Sequence, residues 1–244
     1  MRFNVLFLYF LKKNLTNRWE ITFSPLMSAI LGTIFLTYGL RAFVGGISSA
    51  IMLLGWLSIQ IIAVSVSMAV LITIEFSTAS VLFYKSLPIR ESEIILASTL
   101  SAALTTIPIP TLCLLIASLM GLKVNASSFL LMVISLYIAA IGVLGFILVF
   151  SSLVKNIVRL SIIASFLASI LTYISPIYYP LNVFPLPIQV IMCFNPLTLH
   201  IKFTRQLVIF GEFDSLCIIY LSGVSTFWFL LGYALLKRKM ERTG

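Results

Sequence analysis

"SPIYYPLNVFPLPIQVIMCFNPLTLHIKF", residues 175–203, carries no charged side chain until Lys202, yet holds five of the nine prolines in the chain. An uncharged run of this length suits hydrocarbon, where every backbone polar group must find an internal partner. Each proline removes a donor and clashes with the preceding helical turn. The segment is therefore apolar backbone that keeps interrupting its own helix, and its surroundings must explain why.

Those surroundings are apolar too. The chain is 61% hydrophobic and 9% charged, with a mean hydropathy of +1.15, whereas a soluble domain is about half apolar and about a quarter charged. This is the composition of an integral membrane protein. The net charge of +9 does not point to nucleic acid, because no basic stripe interleaves with exposed aromatics. Instead the cations flank apolar runs, as the orientation of a chain in a membrane requires. Cys113, Cys193 and Cys217 have neither CxxC nor metal-ligand spacing and read as small buried apolar residues.

Uncharged stretches cover 21–40, 42–74, 94–122, 124–154, 160–199 and 215–236. A hydrocarbon layer of about 30 Å takes about 20 helical residues. Six spans are expected, near 21–40, 50–73, 94–119, 129–153, 159–175 and 215–236. The fifth run is too long for one span and too short for two with a turn. No repeat, linker or soluble domain interrupts the sequence, so 1–244 reads as a single all-α transmembrane domain.

"MRFNVLFLYFLKKNLTNRWE", residues 1–20, has an apolar core from Val5 to Leu11 that is too short to span and is followed by no small-residue cleavage site. It is expected to be an interfacial helix, its apolar side among headgroups and Lys12, Lys13 and Arg18 in water. With the N-terminus inside, the inner segments hold 12 of the 16 Lys and Arg residues and the outer segments hold 4: Arg41, Lys123, Lys202 and Arg205. That bias puts both termini in the cytoplasm, in a multi-pass plasma (inner) membrane protein.

The expected spans contain no Asp, Glu, Lys, Arg or His near mid-membrane, where proton relays and many ion-coupled carriers keep them. There is no GxxxxGK[ST] loop for ATP phosphates and no TVGYG-like filter. Nor does the sequence offer a carboxylate pair, a Ser/His/Asp set or a metal cluster, so no catalytic, cofactor-binding or metal residues are assigned. His200, the single histidine, is expected to hydrogen-bond near the outer surface rather than bind a ligand. If the protein moves a substrate, its energy comes from a partner. Uncharged spans favour an amphipathic or lipid-like cargo over a highly charged one.

Two inner loops are available to receive that energy. "KNIVRL" is a tight basic turn. Residues 75–93, "EFSTASVLFYKSLPIRESE", are long enough for a short helix with Phe76, Ala79, Leu82 and Phe83 on one side and Ser77, Ser80 and Tyr84 on another. Pro88 ends it, and Arg90, Glu91 and Glu93 open the next span. Two readings fit: a turn lying on the membrane, or a knob that docks into a soluble partner.

"YKSLPIRESEIILASTL" (84–100) resembles the loop after the second span of type-2 ATP-binding-cassette permeases, where "LP" precedes charged residues. Residues 175–213 resemble the same family's signature near the fifth span: a proline-bounded aromatic patch, an apolar half-helix, then "NP-L-T" and an Arg before a Gly. Here these are Pro180, Pro185, Asn195, Pro196, Leu197, Thr198, Arg205 and Gly211. Together with the interfacial helix and six spans, the resemblance covers essentially the whole chain.

The resemblance implies two half-helices that dip into the outer leaflet between spans five and six, over 176–210. Pro176 and Pro180 would end the fifth span. Pro185 and Pro187 would open a first half-helix, Gln189 to Phe194, and Asn195 with Pro196 would cap and start a second, about Leu197 to Phe210. A loop lying passively on the outer surface is the alternative. The family implies an outer gate at Pro180, Pro185, Asn195, Pro196 and Arg205. It also implies coupling to a separate ATPase through Phe76, Leu82, Phe83, Tyr84, Pro88 and Arg90. ATP and magnesium would lie on that ATP-binding-cassette subunit. A second permease copy or related chain would complete an exporter. Ser161, Ser165 and Ser169, four residues apart, suit either that dimer contact or packing within one subunit. The other class of reading is a membrane scaffold or assembly factor without a transport cycle.

Overall fold

The computed structural model describes residues 2–16, 26–36, 39, 46–77, 80–86, 88–119, 124–154, 156–177 and 179–242, and among these there is no β-strand. The helices in chain order are α1 (Arg2–Thr16), α2 (Leu26–Leu36), α3 (Gly46–Glu75), α4 (Ser80–Ser86), α5 (Glu91–Thr106), α6 (Pro108–Leu119), α7 (Ala126–Leu153), α8 (Ile157–Ile174), α9 (Leu186–Cys193), α10 (Pro196–Arg205) and α11 (Ser215–Arg242).

Among the described residues, four helical segments are long and apolar enough to cross a bilayer: Ala50–Glu75, Glu91–Leu119, Ala126–Leu153 and Ser215–Arg242. They match the second, third, fourth and sixth expected spans. The apolar part of α8, Arg159–Ile174, falls short of the roughly 20 residues that a straight crossing takes. Of the expected first span, 21–40, only α2 and Gly39 belong to the described residues.

The segment Glu91–Leu119 bends at Ile107, where α5 passes into α6. Pro108 has no N–H for the carbonyl of Leu104, which instead accepts from the Ile107 N–H at 3.4 Å. The regular ladder resumes with Thr111 N–H to the Ile107 carbonyl at 3.1 Å. Proline thus bends the span without ending it.

α7 occupies the centre, packed against α3, α5, α8, α10 and α11. Its most extensive interface is with α11, and glycine allows the approach. A Cβ placed on Gly145 would sit 2.6 Å from the backbone of Phe229, and one on Gly232 would sit 2.6 Å from the Gly145 carbonyl oxygen. Close backbone packing of this kind drives helix association where lipid removes the usual hydrophobic force. Five buried hydroxyls are satisfied locally: Ser58, Thr73, Thr99, Ser135 and Ser151 each donate to a carbonyl three or four residues back in their own helix.

α1 lies along α5, burying Leu6 and Phe10 and leaving Val5, Leu8 and Tyr9 exposed. Asn14 Nδ2 donates to Ser101 Oγ at 3.2 Å, tying its end to α5. An exposed apolar face beside a docked one is what an interfacial helix needs.

Candidate functional site

α3 ends at Glu75, and the backbone turns at Phe76 and Ser77 before α4 begins at Ser80. The expected continuous helix face from Phe76 to Phe83 is therefore divided. Phe76 and Tyr84 point inward and are buried, with the Tyr84 ring 5.9 Å from that of Phe76 and 5.8 Å from that of Phe10 on α1. Leu82 and Phe83 point outward, 62% and 60% exposed. Pro88 and Arg90, just beyond α4, are exposed as well. Of the six residues expected to dock, two belong to the core and four remain at the surface.

A buried charge fixes this arrangement. The Glu75 carboxylate accepts from Lys13 Nζ at 2.5 Å and from the Tyr84 hydroxyl, and Lys13 Nζ also lies 3.4 Å from the Tyr84 oxygen. Both charges are held at low exposure, which is tolerable only because each has its partner. Lys13 was expected in water; instead it joins α1 to the end of α3 and to α4. Sequence reasoning missed this cluster. Glu75 is the sole acid between Glu20 and Glu91, which flags it, but nothing local identifies a lysine 62 residues away.

The segment from α8 to α11 contains two short helices meeting at Asn195. α9 starts three residues earlier than expected, after Pro185 with Pro187 in its first turn. At the start of α10, Asn195 Oδ1 accepts the Leu197 N–H at 3.0 Å, and Pro196 takes the first helical position. The Asn195 amide also donates to Ser175 Oγ at 2.8 Å and the Leu171 carbonyl at 3.3 Å, fastening the turn to the end of α8. α10 passes into a π-helical turn, Gln206–Phe210, closed by Gly211 at φ 70°, a conformation that favours glycine.

Arg205 completes the stitching. Its guanidinium donates from Nη1 to the Tyr179 carbonyl at 3.0 Å and from Nη2 to the Ile177 carbonyl at 2.5 Å. These acceptors lie where Pro176 and Pro180 prevent regular helix, so the arginine supplies donors to carbonyls a helix would have used internally. On α11, Trp228 Nε1 donates to the Phe194 carbonyl at 2.9 Å, and the Asp214 carboxylate accepts the Cys217 N–H at 3.0 Å as an N-cap. α10 packs on α3, α7 and α11, with Pro196 to Ile201 all buried. Pro180 and Pro185 are exposed, as is most of α9.

His200 has a hydrogen-bond partner, as expected, but is buried rather than superficial, with its Nδ1 3.1 Å from Ser135 Oγ on α7. Ser161, Ser165 and Ser169 lie on the exposed face of α8, beside exposed Ile162 and Phe166, while Ala164 is buried. Among the described residues no group of three His, Cys, Asp or Glu could hold a metal ion.

The model of the ABC-2 type transporter family matches residues 5–209. No curated protein matches the chain. The matched region runs from α1 through the paired short helices to the π-helical turn, well over half of the sequence. Together with the four long apolar helices, it makes the chain a multi-pass membrane protein that belongs to the ABC-2 type transporter permease family.

Proposed function

We propose that the chain is the membrane permease subunit of an ATP-driven exporter, pairing with a second copy or a related chain and with two ATP-binding-cassette ATPase subunits that carry ATP and magnesium. The chain has six spans in this reading, α2 and α8 lying in the first and fifth. Both termini face the cytoplasm, and the α9–α10 pair forms a re-entrant lid in the outer leaflet. Broken backbone at that depth is tolerated where protein covers it, and α10 is covered by α3, α7 and α11. The exposed serine stripe of α8 suits contact between two permease chains.

The observation that carries the reading is the pair Leu82 and Phe83. Two large apolar side chains stand exposed on α4, whose neighbour Tyr84 is fixed in the core by Glu75, Phe76 and Phe10. A rigidly based apolar knob is suited to a pocket on a soluble subunit, and its base would pass a push to α3 and α1. ATP-driven closure of the ATPases would thereby tilt the helices around a path toward the lid.

The test is recovery of the tagged chain from its native membranes in mild detergent. An ATP-binding-cassette ATPase should co-purify, and the complex should hydrolyse ATP. Recovery of the folded chain with no ATPase in any mild detergent would favour the scaffold reading instead.

A further inference from the structure

A cleft of about 470 Å³ opens where α3, α7 and α11 end together. Leu235, Arg238, Lys239 and Arg242 line it from the last turns of α11, and their spacing puts all four on one helix face. Leu153, at the end of α7, is exposed beside them. Along this face the lining changes within two turns from leucine to arginine. That gradient matches the border between hydrocarbon and headgroups at the end of a bilayer-crossing helix.

The charges in the cleft are of one sign. Among the described residues no Asp or Glu lines it. Glu241, the acid closest in sequence, lies 3.9 Å from Lys237 and outside the cleft, and Glu75 is committed to Lys13 and Tyr84. Lys239 Nζ donates to the Val154 carbonyl at 2.8 Å, which holds the end of α7 against α11 and fixes the cleft's back wall. The Ser77 hydroxyl donates to the Thr73 carbonyl of α3 and the Ser152 hydroxyl to the Leu148 carbonyl of α7, so the arginines are the anion donors.

We infer that this cleft binds the phosphate headgroup of an anionic phospholipid, with Arg238 and Arg242 on the phosphate and an acyl chain against Leu153 and Leu235. Basic pockets between membrane helices bind such headgroups, and guanidinium forks match phosphate oxygens. The inference rests on α11 crossing the bilayer and stands independently of any ATPase.

The test uses the full chain in nanodiscs of phosphatidylcholine alone or of an equal mixture with phosphatidylglycerol, with retained lipid counted by native mass spectrometry. Phosphatidylglycerol should be retained preferentially. Arg238→Gln with Arg242→Gln should weaken that retention about 30-fold. Lys237→Gln, which removes a charge from the same helix end outside the cleft, should leave it unchanged. Equal retention of both lipids, or equal losses in the Lys237 and arginine variants, would overturn a specific site. Displacement of the lipid by millimolar inorganic phosphate would make the ligand a free anion and overturn the lipid assignment. Unchanged lipid retention in the arginine variant, with weaker recovery of a protein partner, would reassign the cleft to protein docking.

Discussion

Phe83 and Tyr84 are adjacent in sequence and have opposite surroundings. Tyr84 is packed between Phe10 and Phe76 with its hydroxyl on Glu75, whereas Phe83 points out. Their truncations should therefore separate. Phe83→Ala should leave the chain inserted and as heat-stable as the parent, but weaken recovery with the ATPase about 30-fold, the loss of roughly 2 kcal/mol at an interface anchor. Tyr84→Ala opens a cavity and orphans a bond to a buried carboxylate, so it should cost about 3 kcal/mol or more of stability. Thermal unfolding in detergent and a pull-down from reconstituted membranes read the two effects independently. If Phe83→Ala binds and turns over normally, the knob has no part in coupling.

Two helical elements have boundaries set by named side chains. The break between α9 and α10 is held by Asn195, whose carbonyl oxygen caps α10 and whose amide grips the end of α8. Asn195→Ala should remove about 1 kcal/mol through the cap alone. Hydrogen exchange should then rise at the start of α10, with a break in protection around 194–196 already visible in the parent chain. Uniformly fast exchange over 185–210 would describe a solvated loop. The α7–α11 seam depends on the absence of side chains. Gly145→Val would drive a branched side chain into the backbone of Phe229, which cannot rotate away, and should cost several kcal/mol or prevent folding, beyond the usual overpacking penalty of about 1–3 kcal/mol. Gly223, also on α11, meets nothing within 4 Å, and Gly223→Val should be nearly neutral. Comparing the two variants by monodispersity and melting temperature tests the seam while controlling for β-branching in a helix.

At the scale of the whole molecule, the distribution of Lys and Arg makes a prediction about orientation. Single cysteines at Asn125 and Thr243, in a background lacking Cys113, Cys193 and Cys217, should react from opposite sides of intact cells, with Asn125 outside. Labelling of both from the outside would defeat the six-span arrangement. The same orientation would put the α3–α5 loop and the ends of α7 and α11 on the cytoplasmic side. The α9–α10 pair would then lie toward the far end of α11, whose 28 residues extend about 42 Å.

Periodicity, charge and proline placement act over short stretches, so the sequence by itself determined the features that depend on them. The apolar class, the positions of the second, third, fourth and sixth spans, the helix start at Asn195–Pro196 and the interrupted backbone of 175–203 were all legible. Each follows from a residue's effect on its own helix or on transfer into lipid. Only the tertiary structure decided which aromatic of the α3–α5 loop is a knob and which is core, because burial of Tyr84 depends on Phe10, far away in the chain. The same holds for Lys13 with Glu75, for Arg205 with the carbonyls of Ile177 and Tyr179, and for His200 with Ser135. In lipid an unpaired polar group is costly, so these residues must find partners. Which partner is near enough depends on how helices distant in sequence pack together, and the glycines at the α7–α11 seam set how closely two of them do.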